Sequence, residues 1–125
     1  MKEMNKYRII LEEAKKEFGI TDKIKIRTKY MKTKAASISF KTRTVKINRL
    51  LVDNEDFVHY LIYHELTHYK LKTASHSSAF WELLYSNLGE DKVKKLERSI
   101  IRKMLELNQI DYCQNNLNHA SIKDK

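Results

Sequence analysis

The hydrophobic period of the chain changes near residue 24, and this change limits what it can fold into more than any other feature. Before that point apolar side chains recur at Met4, Tyr7, Ile10, Leu11, Ala14 and Phe18. That spacing marks an amphipathic helix over about 3–18, and Gly19 is placed to cap its end. Beyond it the period is two. Ile24, Ile26, Thr28 and Tyr30 alternate with Lys25, Arg27 and Lys29; Ala36, Ile38 and Phe40 alternate with Ser37 and Ser39; Val45 and Ile47 alternate with Thr44, Lys46 and Asn48. Three short, half-buried strands are expected, the last two a hairpin turning near Lys41 and Thr42. The helical period then returns. Asp53 and Asn54 are candidate N-caps, with Glu55 and Asp56 in the first turn of a helix over about 55–71. A polar break at Lys72–Ser75 precedes a helix over about 76–88, stopped by Gly89. A fourth helix begins near Asp91, striped by Val93, Leu96, Ile100, Met104 and Leu107. One helix, three strands and three helices make an α+β order, for which a mainly antiparallel sheet is expected.

Composition narrows the class. At 125 residues there is room for one domain. The absence of proline and the presence of only two glycines favour long, unbroken helices. The lone cysteine, Cys113, excludes an internal disulfide framework and any multi-cysteine metal site. No apolar run approaches the roughly 18 residues of a membrane span. The N-terminal stretch mixes acids with bases, unlike a signal peptide, so a cytoplasmic location is expected. Lysine and arginine exceed aspartate and glutamate by 25 − 16, a net charge of +9. Such a surface would suit nucleic acid or acidic partners. No basic stripe is interleaved with aromatics, however, and a lysine-rich solvated surface explains the charge as well.

The chemistry concentrates at residues 64–68, which read HELTH. Histidines four apart on a helix stack on one face about a turn apart, so His64 and His68 can bind one cation. Zinc is the usual ion for two neutral imidazoles and one further ligand. Glu65 stands beside the first ligand, where its carboxylate can take a proton from water held at the metal. With the composition of this chain, a chance match to the pattern has odds of roughly 0.015. On a helical wheel of about 100° per residue, Val58, Leu61, Ile62, Leu66 and Tyr69 share an apolar arc. Asp56, His59, Tyr63, Thr67 and Lys70 fall on the solvent arc, and the histidine pair lies at the margin. Glu65 points into the apolar arc, where a carboxylate is costly unless it has a partner or a job. Three residues are candidates for the third ligand: His76, Glu82 and Glu90. A helix–loop–helix that folds back favours His76, at the start of the next helix, over Glu82, and both over Glu90.

The stretch from Val45 to Trp81 resembles small zinc metallopeptidases of the minigluzincin and SprT-like kind. The likeness lies in the order strand, short loop, HExxH helix, variable loop, and a second helix opening with His-x-x-x-Phe. Here that last element is His76-Ser77-Ser78-Ala79-Phe80, followed by Trp81. The resemblance implies a small zincin-like fold over 1–90. It implies one zinc ion held by His64, His68 and His76, with Glu65 as general base and peptides or proteins as substrates. Gluzincins use a glutamate on the second helix, which keeps Glu82 as the alternative to His76. The resemblance also implies that the segment 91–125 holds the enzyme latent. The apolar stripe of the fourth helix outlasts a three-stranded domain, so its end needs another surface, in its own cleft or in a second copy of the chain. Asp111, Cys113 and His119 in the tail are groups able to approach a metal. Removing residues from about 92 onward is therefore expected to raise activity. Tyr60, Tyr69 and Tyr85 are candidates for stabilising an oxyanion, and the edge near 36–40 is the candidate docking site for a substrate strand. Two rival readings are a DNA-associated protease, separable by a steep salt dependence of binding, and a non-catalytic zinc-stabilised module.

Overall fold

The computed structural model describes residues 2–107, so Asp111, Cys113 and His119 lie outside the described residues. The order is α1 (Lys2–Phe18), β1 (Lys25–Lys29), β2 (Ala36–Ser39), β3 (Thr44–Asn48), a 3-10 turn (Arg49–Leu51), α2 (Glu55–Leu71), α3 (Ser78–Leu88) and α4 (Glu90–Leu107). Each helix expected from the 3.6-residue period is present, and each two-residue run forms a strand. Asn54 caps α2, its side chain accepting from the Phe57 N–H, and Ser77 caps α3 through the Phe80 N–H. Gly19 and Gly89 both adopt positive φ, as helix-ending glycines do.

The sheet is mixed rather than mainly antiparallel. Its order is β1-β3-β2; β1 runs parallel to β3 and β2 antiparallel to it. A tight turn joins β2 to β3, with Arg43 in the left-handed region at φ 53°, so that pair must be antiparallel. The chain leaving β1 instead passes over the C-terminal end of β3 before entering β2, which leaves β1 parallel to β3. Asn48 holds this crossing in place. Its Nδ2 donates to the carbonyls of Met31 (2.7 Å) and Lys34 (2.8 Å). Its Oδ1 accepts from the N–H of Met31 (3.4 Å) and of Leu50 (3.0 Å). Asn48 is fully buried and uses both ends of its amide.

β3 is the central strand, and Val45 and Ile47 are fully buried on it. α2 lies at the centre of the molecule, covered by the sheet, by α1, and by α3 and α4. Tyr63 and Thr67, placed on the solvent arc by the helical wheel, are buried. α1 covers that side, with the Phe18 and Tyr63 rings 5.8 Å apart, and the Thr67 hydroxyl donates to the Tyr63 carbonyl at 2.8 Å. α4 joins the same core through Val93 and Ile100, with Leu96 and Met104 packed against it. Ile101, Leu105 and Leu107 stay exposed. Among the described residues no helix is long and apolar enough to cross a membrane.

Candidate metal centre

α2 sets His64 and His68 one turn apart, with ring centroids separated by 5.0 Å. The third histidine comes from the loop after α2, which bends back at once. Lys72 takes the left-handed conformation, φ 54°, and the next N–H, of Thr73, donates to the His68 carbonyl at 3.2 Å. The Thr73 carbonyl in turn accepts from His68 Nδ1 at 2.9 Å. Two hydrogen bonds thus join the same two residues, and the loop rises over the end of α2. His76 sits just before the Ser77 cap of α3 rather than inside the helix. Its Nε2 lies 3.2 Å from His64 Nε2 and 3.2 Å from His68 Nε2.

The ligand atoms of these three residues all lie within 4.8 Å of one another, and among the described residues no other such group of histidine, cysteine, aspartate and glutamate converges. The arrangement fits a cation. Because His68 Nδ1 donates to a carbonyl, its Nε2 carries a lone pair, and that lone pair is aimed at the nitrogen of another imidazole. Nitrogens about 2.0–2.1 Å from a tetrahedral ion stand roughly 3.3 Å apart, close to the 3.2 Å between His76 Nε2 and the Nε2 of each of the other two. Burial, with His68 and His76 adding to it, pushes the His64 imidazolium pKa down to about 3. Burial also lowers that of His68, against the hydrogen bond to Thr73. Both rings are therefore neutral near pH 7, the form that ligates.

Phe80 explains the spacing that follows His76. It is fully buried, and its ring lies 4.9, 4.5 and 4.8 Å from those of His64, His68 and His76, forming an apolar floor. Trp81 stacks on the outer face of the otherwise exposed His76, centroids 5.8 Å apart and planes at 28°. The other candidates for a third ligand lie elsewhere. Glu82 is exposed on α3 and outside the cluster, and Glu90 pairs with Lys94 at 2.7 Å. His59 stacks on Tyr63 at 4.7 Å and takes no part.

Glu65 is buried, 6% exposed, and burial pushes its carboxyl pKa up to about 7 against the opposing charge of Lys34. It lines a cleft of about 510 Å³ together with the three histidines. One wall of this cleft is β2 with the residues around it, including Lys34, Ile38 and Phe40; the other is α4, through Glu97, Ile100 and Ile101. β2 is an edge strand. The Asn48 N–H donates to the Ala35 carbonyl at 2.8 Å, and Ala36 stands opposite Ile47 and Ile38 opposite Val45. Ala36 and Ile38 are thus the non-hydrogen-bonded members of the ladder, and their N–H and C=O groups face the free edge. Of the three tyrosines considered for an oxyanion, Tyr69 donates to Asp22 away from the cleft and Tyr85 is absent from its lining. The Tyr60 hydroxyl lies 3.3 Å from His64 Nδ1. The Thr73 carbonyl and the Asn48 clamp have no signal in the spacing of residue types. Tyr60 has one, since it precedes His64 by a single helical turn.

The model of the YgjP-like metallopeptidase domain matches residues 3–107. The chain belongs to the YgjP-like metallopeptidase family. Its relatives include an uncharacterized protein of Methanocaldococcus jannaschii, 37% identical over 98 residues, which cover 77% of this chain and 89% of that one. An uncharacterized protein of Aquifex aeolicus is 36% identical over 91 residues, 71% of this chain and 82% of the relative. Two solved structures share the fold. The metallopeptidase zymogen jannalysin of Methanocaldococcus jannaschii is 35% identical with a TM-score of 0.70, covering 78% of this chain and 96% of that one. The metallopeptidase zymogen abylysin of Pyrococcus abyssi is 32% identical with a TM-score of 0.71, covering 78% and 93%. This α+β fold, with four helices and a mixed three-stranded sheet, is therefore that of small zincin-like metallopeptidases, and membership of the family implies a metal.

Proposed function

We propose that the chain is a zinc-dependent endopeptidase in which His64, His68 and His76 hold one zinc ion and Glu65 is the general base. The observation that carries this reading is the convergence of three imidazole nitrogens beside a buried carboxylate in an open cleft. Zinc bound there would supply a Lewis acid that polarises a peptide carbonyl and acidifies water. The remaining work falls to the chain itself. The free edge of β2 takes an extended peptide as an added strand, pairing through the N–H and C=O groups of Ala36 and Ile38. Glu65, with a pKa raised towards neutrality, takes a proton from the attacking water at its carboxylate oxygen and passes it to the leaving amine. Phe80 excludes water from beneath the trio. The test is Glu65→Gln: it should retain stoichiometric zinc and lose hydrolysis of a fluorogenic peptide. Loss of zinc would make Glu65 a ligand and overturn the assignment.

The reading includes latency, supported by the zymogen descriptions of jannalysin and abylysin. α4 already walls the cleft, and its exposed Ile101 and Leu105 lead towards residues 108–125. Val93 and Ile100 belong to the core, so removal from 92 onward would unseat the fold along with any blocking segment. The informative cut follows Leu107. Protein ending there should stay folded and zinc-loaded and cleave peptides faster than the full chain; equal rates would confine the tail to a role outside latency.

A further inference from the structure

The two histidines of α2 are each approached by an oxygen on the side away from the other ligands. For His68 the oxygen is the Thr73 carbonyl, 2.9 Å from Nδ1. A carbonyl only accepts, so His68 carries its proton on Nδ1 and a lone pair on Nε2. For His64 the oxygen is the Tyr60 hydroxyl, 3.3 Å from Nδ1 and one helical turn earlier. Tyr60 is 2% exposed, and its ring packs against that of His64 with centroids 5.7 Å apart. Packing therefore delivers the hydroxyl to the imidazole and leaves it little freedom to turn elsewhere.

A hydroxyl can donate or accept, and the two options have opposite consequences on the far side of the ring. If Tyr60 donated to Nδ1, the His64 proton would sit on Nε2 and point at His76 Nε2, 3.2 Å away, into the space where the three nitrogens converge. If Tyr60 accepts, the proton sits on Nδ1 and the Nε2 lone pair points into that space, matching His68. Only the second option leaves both α2 histidines ready to ligate.

We infer that Tyr60 is a positioning residue for the metal centre: its hydroxyl oxygen accepts the Nδ1 proton of His64, fixing the tautomer and ring plane that turn Nε2 towards His68 and His76. The inference rests on the proposed reading of the trio as a metal site. Tyr60 acts through His64 and handles no proton of the reaction.

Two measurements on the full chain test it, neither needing activity. Long-range proton–nitrogen correlation spectra of the metal-depleted protein, recorded where the imidazoles are neutral, read the tautomer of His64. The expected form is Nδ1–H, and Nε2–H in the wild type would overturn the inference without any variant. Competition with a chromophoric chelator then reads zinc affinity. Tyr60→Phe keeps the ring and removes only the hydroxyl, and should weaken zinc binding about 10–100-fold, the usual effect of losing the hydrogen-bond partner of a ligating histidine. It should also shift His64 towards Nε2–H. Tyr63→Phe, a buried tyrosine beside His64 in sequence whose ring packs instead against Phe18 and His59, should change neither. Unchanged affinity in Tyr60→Phe overturns the inference while leaving the metal site intact. Failure of the wild type itself to bind zinc stoichiometrically overturns both.

Discussion

Glu65→Gln should stabilise the metal-free protein, by an amount that depends on pH in a defined way. The carboxyl is 6% exposed, and burial raises its pKa from 4.5 to about 7. A raised pKa on an acid means that the folded state binds the proton more tightly than the unfolded state. Below pH 4.5 both states are protonated, and the group contributes no pH dependence. Between pH 4.5 and 7 the unfolded chain ionises first, so stability falls as pH rises; above 7 the full penalty is present. Each pKa unit is worth about 1.4 kcal/mol, so a shift of this size costs about 3 kcal/mol. Glutamine has the same shape and never ionises. Urea denaturation after metal removal should therefore give similar midpoints for wild type and Glu65→Gln near pH 4, and a variant more stable by about 3 kcal/mol near pH 8. Zinc should shrink the gap at pH 8, because a cation beside the carboxylate offsets the cost of its charge. A stability difference that does not grow between pH 4 and pH 8 would refute the view that Glu65 is held against its own solvation.

Two further substitutions probe the surroundings. His76→Ala should weaken zinc binding in chelator competition by more than the roughly 10–100-fold that losing a hydrogen-bond partner costs, while Glu82→Ala leaves it unchanged; the reverse order would move the third ligand to Glu82. Asn48→Ala strips three hydrogen bonds from the crossing between β1 and β2, at Met31 and Lys34, and a fourth from the Leu50 N–H of the 3-10 turn. It should cost about 2–4 kcal/mol in chemical denaturation, since part of the freed backbone can rehydrate; a loss below about 1 kcal/mol would mean that the clamp is dispensable.

The residues of the candidate site were legible because their chemistry conflicts with their positions unless they are used. His64 and His68 follow from helical period, while His76 is favoured over Glu82 by the fold-back of the next helix and by the resemblance carried in its His-x-x-x-Phe element. Phe80 and Trp81 make sense as the floor and flank of an imidazole cluster. The direction of β1 was not legible. Alternation reports which face of a strand is buried, and a parallel and an antiparallel neighbour bury it equally well. The deciding group is Asn48, whose amide holds the crossing chain, and a polar residue at the end of an alternating run looks like an ordinary strand end.

The same distinction explains why Glu65 was informative in the sequence while Thr67 misled. Both are polar residues on a helix that the fold buries on nearly every side. A threonine inside a helix satisfies itself, donating its hydroxyl to the carbonyl one turn back, as Thr67 does to Tyr63, and its methyl group packs as any apolar group would. Its polarity therefore says little about exposure, and a wheel that sends every polar residue to solvent misplaces it. An ionised carboxylate has no such escape. It can only accept, the helix interior has already spent its N–H groups, and the donors that could rescue it must come from elsewhere in the fold or from solvent. Burial then raises its pKa, as it does for Glu65. A buried glutamate is thus a cost the chain carries for a reason, and next to two histidines one turn apart the reason we propose is proton transfer.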